Sequence, residues 1–258
     1  MSEALLRVEA LNCFFDGLRA VDDLSFVVRT GEIKAVIGPN GAGKSTLFNA
    51  IAGVTRPTSG RIWLRERRID TLPTYQRAQL GIARTFQNLQ IFRDMTVIEN
   101  VMVGCHRHGH TGTIGALLQT PSSRAEDHAM RERAMQLLAR FGLDGKADMP
   151  AGELAFGQMK ILELARALAG EPTLLLLDEP AAGLPQAEAE RIGKIITGLN
   201  RNGTTVLLVE HNMRMVMSLS HDILVLNNGT RIAEGDADSI RRHPQVIAAY
   251  LGESEHAA

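Results

Sequence analysis

The stretch GPNGAGKS, Gly38 to Ser45, constrains the fold of this chain more than any other feature of its sequence. It satisfies the pattern G-x-x-x-x-G-K-[ST], it follows the apolar segment EIKAVI, and it runs into the helix-forming segment TLFNAIAG. Glycines let the backbone curl so that successive N–H groups face an anion, and the following helix end adds its positive dipole. The pattern therefore predicts a phosphate-binding loop between a strand and a helix.

The side chains of this loop have separate predicted roles. Lys44 is expected to reach the β- and γ-phosphates of a nucleotide, and the Ser45 hydroxyl is expected to ligate Mg²⁺. The residues that the motif places around the nucleotide are Gly38, Pro39, Asn40, Gly41, Ala42, Gly43, Lys44, Ser45 and Thr46. A tight turn without a ligand is the alternative, and the strand and helix that flank the motif argue against it.

A second apolar segment, TLLLLDE at residues 173–179, ends in two carboxylates. Its apolar run predicts a strand buried on both faces, which brings Asp178 and Glu179 to the edge where parallel sheets bind ligands. Asp178 suits the Mg²⁺ shell, directly or through water. On an extended backbone Glu179 points the other way, where it could orient and deprotonate the water that attacks the γ-phosphate. Surface carboxylates without a function are the alternative interpretation.

Hydrophobic periodicity divides the 258 residues into three consecutive parts of one domain. Residues 1–87 read as strands around the glycine loop, residues 88–170 carry helical patterns, and residues 171–258 return to alternating strands and helices. In the middle part, SSRAEDHAMRERAMQLLARFG predicts a helix that starts with a capping box at Ser123 and Glu126. The periodicity therefore predicts an α/β core with an inserted helical subdomain.

Composition and charge exclude several classes of protein. Lysine and arginine number 28 against 29 acidic residues, so the chain has no net attraction for nucleic acid or anionic lipid. No apolar run approaches the length of a membrane span, and the N-terminal residues lack the pattern of a signal peptide. Only two cysteines are present, which favours a reducing compartment. We therefore expect a cytoplasmic protein that binds no nucleic acid and does not itself cross a membrane.

The stretch LAFGQMKILELARALAG, Leu154 to Gly170, joins a glycine to an amphipathic helix. Its apolar residues recur at i, i+3, i+4 and i+7, which predicts a helix that begins near Gln158 with its first N–H groups unsatisfied. Such a helix end attracts anions, but a glycine before a helix is also ordinary turn chemistry. The segment on its own leaves both interpretations open.

Two further clusters have simpler interpretations. Met213, Met215 and Met217 suit the packing of a short helix, with a binding surface as the alternative. The segment CHRHGH, residues 105–110, matches none of the usual zinc spacings, so we interpret its cysteine and histidines as solvated loop residues and not as a metal site. Neither cluster is assigned a function.

Five motifs in order give the chain a specific resemblance to a known family. After the glycine loop come ARTFQ, predicted to end a strand at Gln87, then LAFGQ, DEPAAGL, and VEH, predicted to end a strand at His211. The chain therefore resembles ATP-binding-cassette (ABC) ATPases over almost its full length. This resemblance implies the α/β P-loop NTPase fold of those ATPases, with a mixed central sheet, an N-terminal antiparallel β subdomain and an inserted helical subdomain. It also implies ATP and Mg²⁺ as ligands, and ATP hydrolysis as the activity.

The resemblance implies roles for residues outside the glycine loop. In that family two chains sandwich two ATP molecules head to tail, and the helix that follows an LSGGQ-type signature points at the γ-phosphate held by the partner chain. The matching residues here are Leu154, Ala155, Phe156, Gly157 and Gln158. Gln87 is implied to sense Mg²⁺ and the attacking water, and His211 to contact the γ-phosphate. Phe15 is implied to stack on adenine, with the adjacent Phe14 as the alternative.

Several segments resemble, more narrowly, the ATP-binding subunits of branched-chain, or hydrophobic, amino-acid importers, and the tail HPQVIAAYLGE is the most telling of them. The implied partners are a second ABC ATPase subunit, as homodimer or heterodimer, transmembrane permease subunits that contact residues 88–92, and indirectly an extracytoplasmic solute-binding protein. The implied location is peripheral, on the cytoplasmic face of a bacterial inner membrane. The alternatives are a lipopolysaccharide-type exporter ATPase, a nucleic-acid-associated ABC ATPase, and a nucleotide-sensing protein without turnover.

Two residues depart from the pattern of the family in a way that should affect function, whereas Phe156 stands in place of a glycine where the importer subgroup commonly has an aromatic residue. Ala155 stands where the signature usually has a serine, whose hydroxyl donates to the γ-phosphate on the partner chain. Pro185 follows AAGL where a polar Asn or Asp is usual. The set expected to serve this chain's own nucleotide is intact and comprises Lys44, Ser45, Gln87, Asp178, Glu179 and His211. Both departures act across the dimer, so we expect the reciprocal ATP site to be impaired.

Overall fold

A computed structural model describes residues 3–15, 17–105 and 121–254 of the chain. Contacts divide the chain into two compact units, of which the first comprises residues 1–84 and 173–258 and the second comprises residues 85–172. The second unit contains all of the predicted helical subdomain, residues 88–170. The first unit is built on two sheets.

An antiparallel sheet lies in the N-terminal part of the first unit. Its strands are β1 (Ala4–Phe15), β2 (Leu18–Arg29), β4 (Ser59–Leu64) and β5 (Arg67–Arg68), in the order β2-β1-β4-β5. Leu6 pairs with Val28 and Val8 with Phe26, and all four side chains are buried because one face of the sheet packs on the core. The predicted N-terminal antiparallel sheet is confirmed.

A mixed sheet forms the centre of the first unit. Its strands are β3 (Ile33–Ile37), β6 (Ile82–Arg84), β7 (Leu174–Asp178), β8 (Thr205–Val209), β9 (Asp222–Asn227) and β10 (Thr230–Gly235), in the order β10-β9-β3-β8-β7-β6. β9 and β10 pair antiparallel, whereas the other neighbours are parallel. β3, β7 and β8 are buried along their whole length, as their apolar sequences require. Because β9, β3, β8, β7 and β6 run parallel, their carboxyl ends lie at the same edge of the sheet.

Helices in the described part of the chain complete both units. In chain order they are α1 (Lys44–Ala52), α2 (Thr74–Gln79), α3 (Val97–Cys105), α4 (Pro121–Phe141), α5 (Phe156–Ala169), α6 (Gln186–Arg201), α7 (Met213–Leu219), α8 (Ala237–Arg242) and α9 (Pro244–Ser254). Met215 of α7 is buried, and Met213 and Met217 pack partly buried against an apolar cluster of the first unit. These contacts support packing as the role of the methionines.

The second unit is built on α3, α4 and α5, each of which packs on the other two. α4 begins at Pro121, so Ser123 lies inside the helix and the predicted capping box at Ser123 and Glu126 is wrong. Of the segment CHRHGH, only Cys105 is described, as a buried residue that ends α3, and residues 106–110 lie outside the described residues.

Candidate active site

The glycine loop from Gly38 to Ser45 connects the end of β3 to α1. Gly38 has a φ of 151°, and Gly43, which caps the start of α1, has a φ of 99°. A Cβ atom would lie 2.1 Å from the Leu226 oxygen at Gly38 and 2.2 Å from the Ala20 oxygen at Gly43. Both distances are far below van der Waals contact, so both positions require glycine. The glycines therefore seat the loop tightly against β9 and β2 and let it curl ahead of the helix.

The ammonium group of Lys44 lies inside the curve of this loop. Its side chain is buried, and Nζ donates to the carbonyl oxygens of Gly38 at 2.7 Å and of Pro39 at 2.9 Å. Ser45 is exposed in the first turn of α1, a turn that contains no acidic residue. Of the other predicted loop residues, Asn40 and Gly41 are exposed, Pro39 and Thr46 are partly exposed, and Ala42 is buried. A phosphate in this loop would meet a cation and the positive end of a helix dipole.

Asp178 is the last residue of β7 and is 2% exposed. Its Oδ2 atom accepts a hydrogen bond from Arg84 Nη2 at 2.9 Å, and Arg84 Nη1 donates to Asn49 Oδ1 at 2.6 Å. Arg84 thereby ties the carboxylate to α1, the helix that follows the glycine loop. Sequence reasoning assigned no role to Arg84. A basic residue near the end of one strand, beside a parallel strand that ends in an acidic residue, is the signal that could have revealed this role.

The donors at this edge fit a divalent cation. Ser45, in the segment after β3, has a hydroxyl, and Asp178, at the end of β7, has a carboxylate, and both are oxygen donors of the kind that Mg²⁺ binds. Across the described ranges no cluster of three or more His, Cys, Asp or Glu side chains could hold a metal ion by itself. A cation here would need phosphate oxygens and water as further ligands, which is the usual coordination of Mg²⁺ in nucleotide sites.

The backbone of Glu179 is not extended, so that part of the prediction is wrong. β7 ends at Asp178, and Glu179 has a φ of 50°, in the left-handed region. The prediction continued strand geometry beyond the apolar run, whereas the chain turns here and the Glu179 N–H donates to the Val209 oxygen at 2.9 Å. A residue other than glycine in this region costs about 1–3 kcal/mol, and such residues cluster at active sites.

The turn at Glu179 brings its carboxylate to His211. The Oε1 atom lies 3.1 Å from His211 Nε2, and the carboxylate is 16% exposed whereas the imidazole is 47% exposed. β8 ends at Val209, so His211 lies two residues beyond the strand and does not end it as predicted, because the chain turns after Val209 toward α7. A carboxylate that an imidazole orients and water can reach has the arrangement of a general base.

The two phenylalanines at the end of β1 are both exposed, Phe14 at 40% and Phe15 at 44%. The Arg19 guanidinium lies 5.4 Å from the centre of the Phe14 ring. Phe15 and Leu18 form the last residue pair between β1 and β2. Arg19 therefore already covers one face of Phe14. The assignment of Phe15 to adenine stays a prediction.

Gln87 lies in the second unit and is exposed. β6 ends at Arg84, so the prediction that Gln87 ends a strand is wrong. The reason lies in α5, where the buried Glu163 carboxylate accepts the N–H groups of Phe86 at 3.4 Å and Gln90 at 3.3 Å, which holds the segment as a loop. Burial raises the pKa of Glu163, and these two bonds oppose the rise. Sequence reasoning treated Glu163 only as part of an amphipathic helix.

The signature helix α5 begins at Phe156, two residues before the predicted start near Gln158. Its cap is Ala155, with φ −61° and ψ 151°, and no side chain caps it. The Gln158 Oε1 atom accepts from the Ala155 N–H at 3.4 Å and from Lys146 Nζ at 2.9 Å, which fixes the first turn and explains the early start. Gly157 is buried, whereas the Phe156 side chain is exposed. Half of a capping box is therefore present, and the half that Ala155 would supply is missing.

Ala155→Ser is expected to stabilise the start of α5 by about 1 kcal/mol. The new hydroxyl would accept from the Gln158 N–H while the Gln158 side chain still reaches back to residue 155, which completes the reciprocal pair. Thermal unfolding should show a rise of about 2–4 °C. Ala167→Ser, within the same helix, is the control and should give no gain. A midpoint for Ala155→Ser that does not exceed that of the unchanged chain would contradict this account of the cap.

Across the described part of the chain, no helix combines the length and the apolar character needed to span a membrane.

A family model described as ABC transporter matches residues 21–182, and a model described as branched-chain amino acid ATP-binding cassette transporter matches residues 230–256. The high-affinity branched-chain amino acid transport ATP-binding protein LivG of Salmonella typhimurium is 46% identical over 255 residues, which cover 98% of this chain and 100% of LivG. BraF of Pseudomonas aeruginosa, which carries the same description, is 42% identical over the same shares of the two chains.

The fold gives the same result. The crystal structure of the ADP conformation of MJ1267, an ATP-binding cassette of an ABC transporter, matches with a TM-score of 0.85 and 33% identity, covering 97% of this chain and 100% of that one. The predicted α/β fold of ABC ATPases is therefore confirmed. Since the first family model spans more than half of the chain and these relatives align with nearly all of it, the chain belongs to the ABC transporter family.

Proposed function

We propose that this chain is the ATP-hydrolysing subunit that powers a bacterial importer of branched-chain or other hydrophobic amino acids. The observation that carries the activity is the Glu179–His211 pair at the carboxyl edge of the sheet whose strand β3 leads into the Lys44 loop. The substrate class is supported by the family match at residues 230–256 and by the names of LivG and BraF.

ATP binding is assigned to residues of the first unit. Lys44 attracts the β- and γ-phosphates, the N-terminus of α1 adds N–H donors, and Phe15 stacks on adenine. Ser45 and Asp178 hold Mg²⁺, and Arg84 fixes the Asp178 carboxylate. When bound, the metal neutralises charge on the phosphate oxygens.

Hydrolysis is assigned to Glu179 as the general base. Its carboxylate accepts a proton from the attacking water, while His211 orients the carboxylate through their shared hydrogen bond and contacts the γ-phosphate. The turn at Glu179 leaves its side chain 16% exposed and within 3.1 Å of His211 Nε2. Gln87 senses Mg²⁺ and the attacking water, an assignment that rests on resemblance to the family alone.

The proposed assembly contains two ATPase subunits and separate membrane subunits. Two chains close head to tail on two ATP molecules, and the start of α5, with Ala155, Gly157 and Gln158, faces the γ-phosphate on the partner. Permease subunits dock at residues 88–92, where the exposed Phe92 ring lies 5.4 Å from the Arg166 guanidinium. A solute-binding protein delivers the amino acid outside the cell, and the ATPase lies peripherally on the cytoplasmic face.

The two ATP sites are expected to be unequal, with a related ATPase as the partner subunit. Ala155 offers no hydroxyl to the partner's nucleotide, and Pro185, the cap of α6, offers no side-chain oxygen. A missing hydrogen bond to a charged group costs roughly 1.5–3 kcal/mol, or about one to two decades in rate if it acts only in the transition state. In the complete transporter Glu179→Gln should therefore remove most turnover, whereas the equivalent change in the partner should be mild.

Single-site knockouts in the two subunits measure this asymmetry through the ATPase rate. Ala155→Ser is the matched gain-of-function variant and should raise the rate of the reciprocal site. Equal losses from the two knockouts would refute the asymmetry, and so would an Ala155→Ser transporter with an unchanged rate.

The ATPase response to candidate partners tests the proposed function. Turnover should rise with the permease subunits in lipid, and Lys44→Ala should abolish it. DNA or RNA should have no effect, because the chain carries no net positive charge. Stimulation by nucleic acid and none by permease would favour the nucleic-acid-associated alternative. A complex that moves lipopolysaccharide and no amino acid would favour the exporter alternative.

A further inference from the structure

A buried carboxylate outside the predicted site connects the two turns that carry the candidate catalytic residues. Glu210 directly follows β8 and is 4% exposed. Its Oε1 atom accepts from the Ala181 N–H at 2.8 Å, and its Oε2 atom accepts from the N–H groups of His211 at 3.0 Å and Asn212 at 3.2 Å. Ala181 lies two residues after Glu179. One side chain therefore joins the turn after β7 to the turn after β8.

We infer that Glu210 is a positioning residue for ATP hydrolysis, which holds Glu179 and His211 at hydrogen-bonding distance from each other. In the motif VEH, sequence reasoning assigned a role to His211 and none to Glu210. The inference rests on the proposed function, because it takes Glu179 as the general base. Glu210 itself acts through the backbone of the two turns.

The chemistry of a carboxylate explains why glutamate suits this position. An ionised carboxylate has two oxygens that only accept, so each turn has an oxygen of its own. A glutamine side chain would direct an NH₂ group at one of the turns, where a backbone N–H already donates. That turn would lose its acceptor, and a buried N–H without an acceptor is strongly disfavoured. Hydrogen bonds to a charged acceptor are also the stronger kind.

The two candidate catalytic side chains depend on their turns for placement. Glu179 has the left-handed φ of 50°, and the His211 side chain is 47% exposed, so packing alone does not hold the pair. The three hydrogen bonds of Glu210 reach these turns and not the glycine loop of Lys44. Loss of Glu210 should therefore lower the rate of the chemical step and leave ATP binding unchanged.

Glu32 provides a matched control in the same unit. It is also buried, at 7% exposure, and its Oε2 atom accepts the N–H of Arg29 at 2.6 Å. It directly precedes β3, so it lies at the amino ends of the parallel strands, opposite the candidate site. Glu32→Gln therefore makes the same chemical change to a buried carboxylate without contact with either turn.

The test is steady-state ATPase kinetics of the complete transporter with Glu210→Gln or Glu32→Gln. Glu210→Gln should lower kcat by about 10- to 100-fold, the range expected when reacting groups move by about 1 Å, with KM for ATP within about 2-fold of the unchanged transporter. Glu32→Gln should leave both constants close to their original values. A normal kcat for Glu210→Gln, or a loss confined to KM, would overturn the inference.

A double variant separates positioning from general damage. If Glu210 acts through Glu179 and His211, adding Glu210→Gln to Glu179→Gln should lower kcat by less than Glu210→Gln does alone, whereas the full loss of about 10- to 100-fold in the double variant would overturn the inference. Glu210→Asp keeps the charge but shortens the reach, so it should also lower kcat, and a normal kcat would count against the inference even if the glutamine variant fails to fold. Normal turnover in Glu179→Gln alone would instead overturn the catalytic assignment, and the inference with it.

Discussion

Glu179→Gln is expected to lower ATP hydrolysis by at least about 10²-fold while ATP binding persists. Glutamine has nearly the shape of glutamate, so it can keep the 3.1 Å contact with His211, but its amide cannot take a proton from water. The glycine loop and Lys44 are unchanged, and nucleotide-dependent dimers should therefore accumulate. Steady-state ATPase assays, equilibrium ATP titration and size-exclusion chromatography with ATP measure the three effects.

Lys44→Ala is the control that differs in kind. It removes the buried ammonium that lies within the glycine loop, the main cationic partner of the phosphates, so ATP titration should show that binding itself is lost. Near-normal turnover in Glu179→Gln would show that another group is the general base. Equal loss of ATP binding in the two variants would show that Glu179 acts in binding and not in the chemical step.

Arg77→Ala is expected to lower the free energy of unfolding by about 3 kcal/mol or more. Arg77 is 2% exposed, and its guanidinium donates to four backbone oxygens. Those oxygens belong to Ala50 and Ile51 near the end of α1, and to Asp70 and Leu72 before α2. Alanine would leave these groups buried without their donor, and the end of the helix that follows the glycine loop would lose its cap.

Urea unfolding of Arg77→Ala, Arg77→Lys and Arg67→Ala measures this effect. Lysine keeps the charge but not the planar fork of donors, so Arg77→Lys should recover little stability. Arg67 is exposed in β5, and its removal should change the free energy of unfolding by less than about 0.5 kcal/mol. A loss below about 1 kcal/mol for Arg77→Ala would show that the α1 carbonyls do not depend on this guanidinium.

The sequence predicts those features of the fold that local patterns encode. The glycine loop is recognisable because Gly38 and Gly43 occupy positions where backbone atoms of Leu226 and Ala20 leave no room for a Cβ atom. The apolar run that ends at Asp178 predicts a buried parallel strand because both of its faces are covered. Both features can be read from consecutive residues, because the glycine spacing itself marks the loop even though Leu226 and Ala20 are distant in the chain, and the apolar run covers every residue of the strand.

The parts that sequence reasoning missed depend on partners that are distant in the chain. Glu179 turns into the left-handed region where its N–H meets Val209, a residue of another strand. Glu210 and Arg77 are ordinary charged residues in the sequence, and only the fold brings buried N–H groups and carbonyl oxygens to them. The early start of α5 has a local cause instead, since the Gln158 side chain accepts from the Ala155 N–H, whereas the contacts of Glu179, Glu210 and Arg77 join elements that are distant in the chain. Patterns within a few consecutive residues do not predict such contacts.

Uptake of radiolabelled leucine into proteoliposomes tests most directly whether ATP hydrolysis by this chain drives amino-acid import. The vesicles contain the complete transporter, in which the permease subunits are those encoded by the genes that neighbour this chain's gene. The solute-binding protein is outside the vesicles, and ATP is enclosed on the side of the ATPase. Leucine, isoleucine and valine should accumulate in preference to charged amino acids, and the Glu179→Gln transporter should lose most of this uptake. Leucine uptake that continues at the same rate with Glu179→Gln, or a working ATPase that moves no hydrophobic amino acid, would contradict the proposed function.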